Sequence, residues 1–172
     1  MPGRSKIEAW LCLGGNIGDP RRAMAEALRM IDADVRTDVA KVSSLYRTPP
    51  WGKLDQPDFL NAAASVLTSR TPRELLELCL GSEVALKRVR AERFGPRLID
   101  IDILLYGDMA MKEEGLEIPH PRMLDRAFVL LPLSEIAPDL TIRGAPIAKW
   151  IGQLDAAGIG RITEDGAWWR ER

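Results

Sequence analysis

The sequence predicts an α+β fold in which an antiparallel sheet carries its helices on one face. Apolar runs typical of strands alternate with segments of helical periodicity in the order β-α-β-β-α-β. The chain has 172 residues, 46% of them hydrophobic, and can therefore bury one sizeable core. This order is that of the ferredoxin-like split βαβ unit, which leaves the second face of the sheet for a ligand. We expect one domain over residues 1–172, with its core over about 7–157 and a C-terminal tail over 158–172.

The first half of the predicted core contains strands at Ile7–Leu13 and Val39–Tyr46, separated by a helix. The first strand is followed by Gly14-Gly15-Asn16, where we expect a tight turn that uses positive φ. Asp19 as the N-cap and Pro20 as the first helical residue predict where the helix begins.

The second half contains strands at Phe59–Leu67 and Leu98–Tyr106. Between them, Thr71-Pro72 begins a helix that we expect to end near Arg90. The apolar positions that we expect this helix to pack on the sheet are Leu75, Leu76, Leu78, Cys79, Leu80, Val84 and Leu86.

The C-terminal part of the chain carries weaker patterns. We expect an extra hairpin around Met109–Ile118 and short helices near Asp125 and Trp150. Trp168 and Trp169, in the predicted tail, are expected to pack locally.

Composition and charge exclude several functional classes. The 24 basic and 25 acidic residues leave a net charge of −1, which disfavours a surface that coats nucleic acid. No run of 18 apolar residues and no signal-like N-terminus occurs, so we expect a cytoplasmic protein with no membrane contact. Cys12 and Cys79 have apolar neighbours and are predicted to be core thiols. We expect a monomer.

Asp100 and Asp102 are the most informative pair in the sequence. They lie two residues apart in the apolar strand Leu98–Tyr106, so both project from one face while the intervening isoleucines project from the other. Like charges in a largely buried strand are unfavourable unless a cation bridges them or water reaches them. Such oxygen ligands suit Mg²⁺, which commonly binds together with the phosphates of a substrate.

A basic cluster precedes this pair and consists of Lys87, Arg88, Arg90, Arg93 and Arg97. Taken alone, it is equally consistent with a solvated helix end, where cations suit the negative pole of the dipole. Beside the two acids, it predicts a site in which carboxylates hold Mg²⁺ and guanidinium groups bind phosphate. The segment Gly14–Asp19 matches neither of the common glycine-rich phosphate motifs, so the arginines must supply most of the phosphate binding.

Two further groups suggest a binding pocket. Phe59 and Asn61 share a strand face, so a ring and an amide can point into one pocket that suits a flat heterocycle. Core packing of Phe59 and turn capping by Asn61 are the alternative. His120, the single histidine, lies between Pro119 and Pro121, and is either structural or placed beside transferring phosphates.

Taken together, these stretches resemble the hydroxymethyldihydropterin pyrophosphokinase family of the folate pathway, over about Ile7–Leu140. The most specific stretch is Arg93-Phe94-Gly95-Pro96-Arg97-Leu98-Ile99-Asp100-Ile101-Asp102-Ile103-Leu104, which fits the family signature throughout. Supporting stretches are Leu13–Asn16, Tyr46–Pro50, Asp55–Ala63 and Pro119–Pro121. The resemblance implies Mg-dependent transfer of pyrophosphate from ATP to the hydroxymethyl group of a dihydropterin, with release of AMP.

The resemblance also implies roles for individual residues. The metal ligands would be Asp100 and Asp102, holding two Mg²⁺ ions against the phosphates of ATP. Catalytic roles would fall to Arg88, Arg97, Asp100, Asp102 and His120. The nucleotide would be bound by Arg88, Arg90, Phe94, Arg97, Ile103, His120 and Arg126. The pterin would be bound by Thr48, Pro49, Trp51, Phe59, Asn61 and Phe128, with the two phenylalanines as the rings on either side of it.

Some positions depart from the family pattern, and these are Trp51, Phe94, Gly115, Glu117 and a shortened loop after Arg90. They bear on nucleotide affinity and loop motion rather than on the reaction. Two other classes of function remain open. An RNA-binding module is disfavoured because no aromatic-rich RNP sequence appears and the net charge is slightly negative. A catalytically silent pterin- or nucleotide-binding domain is disfavoured because two repelling acids would be retained without a metal.

Overall fold

The structure, a computed structural model, describes residues 5–50, 55–87 and 98–171. The first seven elements are β1 (Ile7–Gly15), α1 (Pro20–Asp32), β2 (Thr37–Val42), β3 (Tyr46–Thr48), β4 (Phe59–Thr68), α2 (Pro72–Lys87) and β5 (Asp100–Tyr106). They are followed by β6 (Met111–Glu113), β7 (Leu116–Ile118), a 3-10 turn (Met123–Asp125), α3 (Ala127–Ile136), β8 (Thr141–Ile142), β9 (Ala145–Pro146), α4 (Ile147–Ile151), β10 (Gly160–Arg161) and a second 3-10 turn (Gly166–Arg170). The chain is therefore a mixed α+β protein.

The main sheet is antiparallel, with the strand order β10-β3-β4-β1-β5 and with β2 also paired to β4. Strand β1 lies between β4 and β5, so its residues from Ala9 to Gly14 face a partner on both sides. Gly14 is opposite Asn61 on β4 and Asp100 on β5, and Cys12 is opposite Ala63 and Asp102. The register of β1 therefore brings residues from distant parts of the sequence onto neighbouring rungs.

The two faces of the sheet carry separate apolar clusters. Helices α1 and α2 cover one face, where Leu11 and Leu13 of β1 pack with Ile101 and Ile103 of β5. The other face was expected to be free of helices, but α3 packs there on β4 with Leu130 and its neighbours. The expectation is wrong because the apolar segment that forms α3 follows the predicted β-α-β-β-α-β order. Its side chains are buried only when they pack on another element, and the free face of the sheet is available.

The local signals of α1 are confirmed. Helix α1 begins at Pro20, and the side chain of Asp19 accepts a hydrogen bond from the backbone N of Arg22 at 3.1 Å. The predicted turn at Gly14-Gly15 is wrong, because both glycines belong to β1 and the positive φ of 65° occurs at Gly18. In a sequence, a glycine that allows a turn looks the same as a glycine that lets another strand approach closely. Only the packing of the folded chain distinguishes the two cases.

Helix α2 buries a narrower stripe than its apolar residues suggest. Its buried positions are Leu75, Cys79, Ser82 and Leu86, while Leu76 and Leu78 are partly buried against the same core. Leu80 and Val84 are 46% and 51% exposed, so the expectation that they pack on the sheet is wrong. They follow the buried positions by one or two residues, which rotates them away from the sheet by about 100° per residue.

The predicted strand Val39–Tyr46 is divided by a break at Ser43–Leu45, which residues of the C-terminal segment stabilise. The backbone N of Leu45 donates to Thr163 Oγ1 at 3.0 Å, and its carbonyl accepts from the N of Ile162 at 2.8 Å. The indole of Trp168 donates to the carbonyl oxygen of Ser43 at 2.8 Å. Two side chains and one backbone N–H, all distant in sequence, thus satisfy backbone groups that a continuous strand would pair in a ladder.

Residues 160–170, which were expected to form a tail, are part of the sheet and of the core. They add β10 to the sheet beside β3, and Trp168 and Trp169 are buried in the same apolar cluster as α1. The expectation of local packing is wrong for these two residues, because their core neighbours come from the first half of the chain. No described helix combines the length and the apolarity that a bilayer crossing requires.

Gly166 provides a test of this packing. A Cβ added there would lie 1.9 Å from the carbonyl oxygen of Val42 and 2.8 Å from its carbon, so the backbone would have to move. We expect Gly166→Ala to lower the free energy of unfolding by about 1–3 kcal/mol in urea denaturation. The matched control is Gly81→Ala, at an exposed position of α2 with nothing within 4 Å of the added carbon. That change should raise the free energy of unfolding by about 1 kcal/mol, and equal effects of the two variants would contradict the proposed contact.

Candidate active site

A cavity of about 420 Å³ lies on the face of the sheet that α3 only partly covers. Four regions contribute to its lining: the end of β1, the paired strands β3 and β4, strand β5, and the start of α3. The lining residues are Cys12, Gly14, Gly15, Asn16, Thr48, Gln56, Phe59, Asn61, Asp100, Asp102, Arg126, Phe128 and Val129. Seven of the residues singled out in the sequence share this cavity, namely Thr48, Phe59, Asn61, Asp100, Asp102, Arg126 and Phe128.

Gly14 of β1 determines the spacing at the centre of this cavity. It lies on the rung between Asn61 and Asp100, so these two residues are separated by two strand spacings, or about 10 Å. A Cβ at Gly14 would lie only 2.7 Å from Oδ1 of Asn61. Any larger residue would therefore displace the Asn61 amide and fill the space between the amide and the carboxylate.

Asp100 and Asp102 project into the cavity from one face of β5, while Ile101 and Ile103 are buried in the core on the other face. The predicted parity is thus observed. Asp102 is exposed and Asp100 is partly buried, so the expected cost of burying both charges is wrong for Asp102, which water reaches. The mutual repulsion of the two carboxylates remains as the reason to expect a cation between them.

The donor set fits a magnesium ion that keeps part of its shell for other ligands. Both residues offer hard carboxylate oxygens on the same face of one strand. Among the described residues, no group of three or more His, Cys, Asp or Glu side chains is placed to enclose a metal. An ion held here would therefore take its remaining ligands from water or from a bound molecule such as a polyphosphate.

Asn61 is buried and held in one orientation. Its Nδ2 donates to Thr48 Oγ1 at 2.9 Å, and both residues lie next to Phe59 on paired strands. This interstrand bond replaces the turn cap considered in the sequence analysis. Because Phe59 also lines the cavity, one end of the cavity combines a ring with a fixed amide.

A second hydrogen-bonded pair lines the cavity, Asn16 with Gln56, and was not anticipated from the sequence. Asn16 is 4% exposed, and its Nδ2 donates to Gln56 Oε1 at 2.9 Å and to the carbonyl oxygen of Pro57 at 3.3 Å. These bonds connect the end of β1 to the segment before β4. The available signal was an asparagine directly after the Gly14-Gly15 pair, at the end of the central strand.

The start of α3 contributes a cation and a ring. Arg126 precedes the helix, and its guanidinium carbon lies 5.7 Å from the centre of the Phe128 ring, which is within the range of a cation–π contact. The ring and the guanidinium thus restrict each other's orientation at the edge of the cavity. Pro49 lies in an adjoining cavity of about 540 Å³ that also contacts Thr48, Arg126 and Phe128.

A third cavity, of about 350 Å³, lies beside β5 between α2 and the β6–β7 hairpin. It contains the predicted residues Ile103 and His120, together with Gly115 and Glu117, two of the positions that depart from the family pattern. Asp102 lines both this cavity and the first one. A ligand that reaches both cavities would therefore pass the Asp102 carboxylate.

His120 is fixed at both its backbone and its ring. Its backbone N donates to the carbonyl oxygen of Leu104 at 2.9 Å, and its Nδ1 accepts from the backbone N of Arg122 at 3.2 Å. Burial lowers the pKa of His120 below its ordinary value, and the charges of Arg126 and Arg122 add to the decrease, while Asp102 opposes it. Burial thus favours the neutral ring, in which Nδ1 accepts this hydrogen bond and Nε2 carries the proton.

Glu83 is a site neighbour that the sequence analysis missed. Its Oε1 accepts a hydrogen bond from the backbone N of Ile101 at 2.6 Å, between the two aspartates. Burial raises the pKa of Glu83, and the charges of Asp100 and Asp102 add to the increase. The signal in the sequence was the spacing of Glu83, which follows Cys79 by four residues and therefore lies on the same side of α2.

The basic cluster cannot be placed with the same detail. The predicted residues Arg88, Arg90, Phe94, Arg97 and Trp51 lie outside the described residues. Of the five residues of the basic cluster, Lys87 is the one that the structure describes, at the last position of α2.

The single histidine allows a direct test of the electrostatics. In metal-free protein, we expect NMR titration to give His120 a pKa below about 6.5, because burial disfavours the imidazolium. Asp102→Asn should lower this pKa further, since the lost carboxylate favours the charged ring. The control is Asp139→Asn, at an exposed position after α3, which should leave the titration unchanged. A pKa that rises in the Asp102 variant would refute the assigned proximity.

Known proteins resemble this chain in sequence. A sequence profile described as 7,8-dihydro-6-hydroxymethylpterin-pyrophosphokinase (HPPK) matches residues 10–138. The 2-amino-4-hydroxy-6-hydroxymethyldihydropteridine pyrophosphokinase of Methylorubrum extorquens is 49% identical over 154 residues, which are 90% of this chain and 98% of that protein. The Bacillus subtilis protein of the same name is 46% identical over 128 residues, covering 74% of this chain and 77% of that protein.

The fold is also found among solved structures. The crystal structure of wild-type Plasmodium falciparum HPPK-DHPS with STZ-DHP superposes with a TM-score of 0.70 at 16% identity and covers 89% of this chain. This chain spans only 44% of that longer chain, and at such low identity the likeness supports the fold alone. The profile match and the close relatives support more, and from them we conclude that the chain belongs to the 7,8-dihydro-6-hydroxymethylpterin-pyrophosphokinase family.

Proposed function

We propose that this protein transfers pyrophosphate from ATP to the hydroxymethyl group of 6-hydroxymethyl-7,8-dihydropterin, in folate biosynthesis. The products are the dihydropterin diphosphate and AMP. The observation that carries the proposal is the arrangement of one cavity, which has a ring and a fixed amide at one end and two carboxylates at the other. The names and the identity of the relatives support the choice of reaction.

The pterin is assigned to the end of the cavity formed by β3, β4 and α3. Phe59 and Phe128 offer ring faces for a flat heterocycle, and Asn61 offers polar atoms in a buried, fixed position. Thr48 holds that amide in place, and Pro49 continues the surface into the adjoining cavity. Trp51 is assigned to the same substrate on the family resemblance alone.

The nucleotide is assigned to the side of β5. Asp100 and Asp102 would hold magnesium, with two ions expected, and the metal would neutralise phosphate charge and polarise the transferring group when bound. His120, Ile103 and Arg126 lie where they can contact ATP. Arg88, Arg90, Phe94 and Arg97 are assigned to the nucleotide and its phosphates from the family pattern.

The protein's own contribution to the reaction is positioning. The hydroxyl oxygen of the pterin attacks the β-phosphorus, the bond from that phosphorus to the oxygen bridging to the α-phosphate breaks, and AMP leaves with that oxygen. The hydroxyl proton passes to solvent. Asn61 on the β4 side of β1 and His120 on the β5 side would hold the pterin and the nucleotide, respectively, which favours an in-line geometry.

We also propose a single ferredoxin-like domain that works as a monomer. The strand order around β1 and the packing of α1 and α2 on one face support the ferredoxin-like core. Residues 160–170 complete the same sheet and the same apolar cluster as the first half of the chain, which supports one domain.

The proposal is tested by product analysis. With Mg²⁺ and the pterin alcohol, the wild-type protein should convert ATP to AMP, and chelation of the metal should abolish the conversion. Asp102→Asn should lower kcat by about 100-fold or more, because the variant loses a charge at the point where phosphate charge must be balanced. Asp139→Asn should retain the wild-type rate.

Three outcomes would contradict the proposal. Formation of ADP in place of AMP would change the reaction class. Wild-type turnover that persists without a divalent ion would exclude the metal role of Asp100 and Asp102. A folded wild-type protein that binds the pterin alcohol but forms no AMP would indicate the catalytically silent binding domain.

A further inference from the structure

We propose that Glu135 of α3 is a positioning residue that joins the two walls of the proposed pterin pocket. The inference rests on the proposed function, because its readout is the affinity for the pterin substrate. Glu135 does not line the cavity. Its effect on the reaction would therefore act through the residues that it holds.

The Glu135 carboxylate accepts three hydrogen bonds from the segment that begins β3. Oε2 accepts from the backbone N of Ser44 at 2.9 Å and from its Oγ at 3.1 Å. Oε1 accepts from the hydroxyl of Tyr46 at 2.6 Å. The side chain is 19% exposed, so these bonds are largely shielded from water. Bonds to a charged acceptor in such a setting are stronger than average.

These bonds reach one pocket wall through β3. Ser44 lies in the break between β2 and β3, where its backbone N has a carboxylate partner in place of a strand partner. Tyr46 is opposite Asn61 in the register of β3 and β4. Thr48, two residues further on the same face of β3, accepts the hydrogen bond of the Asn61 amide. The position of Tyr46 thus fixes the short strand that orients Asn61.

The same carboxylate reaches the other wall through α3. Glu135 and Phe128 are seven residues apart, or two turns, and so lie on the same side of the helix. Phe128 lines the cavity and contacts Arg126. Glu135 therefore sets the distance between the ring on α3 and the amide on β4.

Arg161 of β10 completes the cluster from the C-terminal segment. Its Nε donates to Ser44 Oγ at 2.9 Å, its Nη2 lies 3.4 Å from Glu135 Oε2, and the residue is opposite Tyr46 in the sheet. Its side chain is 48% exposed, so we expect the ion pair itself to contribute little. Its main effect is to orient the Ser44 hydroxyl toward the carboxylate.

The decisive experiment compares KM for the two substrates. Glu135→Gln keeps the shape of the side chain but replaces one accepting oxygen with an NH₂ group, so at least one of the three bonds is lost. We expect KM for the pterin alcohol to rise about 10-fold, the size expected for one lost bond to a charged acceptor. KM for ATP should stay within about twofold of the wild-type value, because the nucleotide side is held by other elements.

Two further variants make the result specific. Tyr46→Phe should raise KM for the pterin alcohol in the same direction, and adding it to Glu135→Gln should have less than the additive effect. The matched control is Glu164→Gln, at an exposed residue whose backbone carbonyl, which the substitution leaves in place, accepts from Arg161 Nη2 at 2.8 Å. It should leave both KM values unchanged. If Glu135→Gln does not fold, Tyr46→Phe alone carries the test, with the same selective rise expected.

Equal increases in both KM values would show a merely structural role and would overturn the inference. An unchanged KM in Glu135→Gln, or in Tyr46→Phe when the first variant does not fold, would also overturn it. In those cases an active wild-type protein leaves the proposed function intact. A wild-type protein that forms no AMP would instead refute the proposed function, and this inference with it.

Discussion

The candidate site depends above all on the register of β1 between β4 and β5. This register places Asn61, Gly14 and Asp100 on one rung, and Ala63, Cys12 and Asp102 on another rung two residues along β1. Backbone hydrogen bonds on both sides of β1 fix these distances, so the amide and the carboxylates keep their separation without contacting each other. A shift of one residue would turn every side chain of β1 to the opposite face. Strand pairing thus determines which residues face the cavity and how far apart they lie.

The second constraint is the break between β2 and β3. A strand that stops pairing leaves backbone groups that need other partners, and here Glu135, Thr163 and Trp168 supply them. Strand β3 begins after this break and pairs with β4, where Tyr46 is opposite Asn61. The cost is that a short strand at the pocket depends on side chains from α3 and from residues 160–170.

Much of the core could be predicted because its signals are local. The N-cap at Asp19, the alternation around Asp100 and Asp102, and the pairing of Phe59 with Asn61 on one face depend only on neighbouring residues. The identity of the cavity's other partners could not be predicted in the same way. The Asn16–Gln56 bond, the reach of Glu83 to Ile101 and the burial of Trp168 arise from contacts between residues far apart in the sequence.

The errors have a common physical origin. The prediction of a turn at Gly14 is wrong because a glycine that avoids a clash and a glycine that permits positive φ look identical in a sequence. The prediction that Leu80 and Val84 pack on the sheet is wrong because the number of apolar residues on a helix does not fix how much of its surface the sheet covers. In each case the deciding quantity was the distance to an atom on another element.

Cys12 has a chemical consequence of its own. Its thiol lies beneath the cavity, and burial together with the charges of Asp102 and Asp100 raises its pKa to about 12. Alkylating reagents and peroxides attack the thiolate, which is scarce at neutral pH for such a group. In the metal-free protein the raised pKa therefore disfavours oxidation and alkylation of this thiol, although Cys12 lines the cavity.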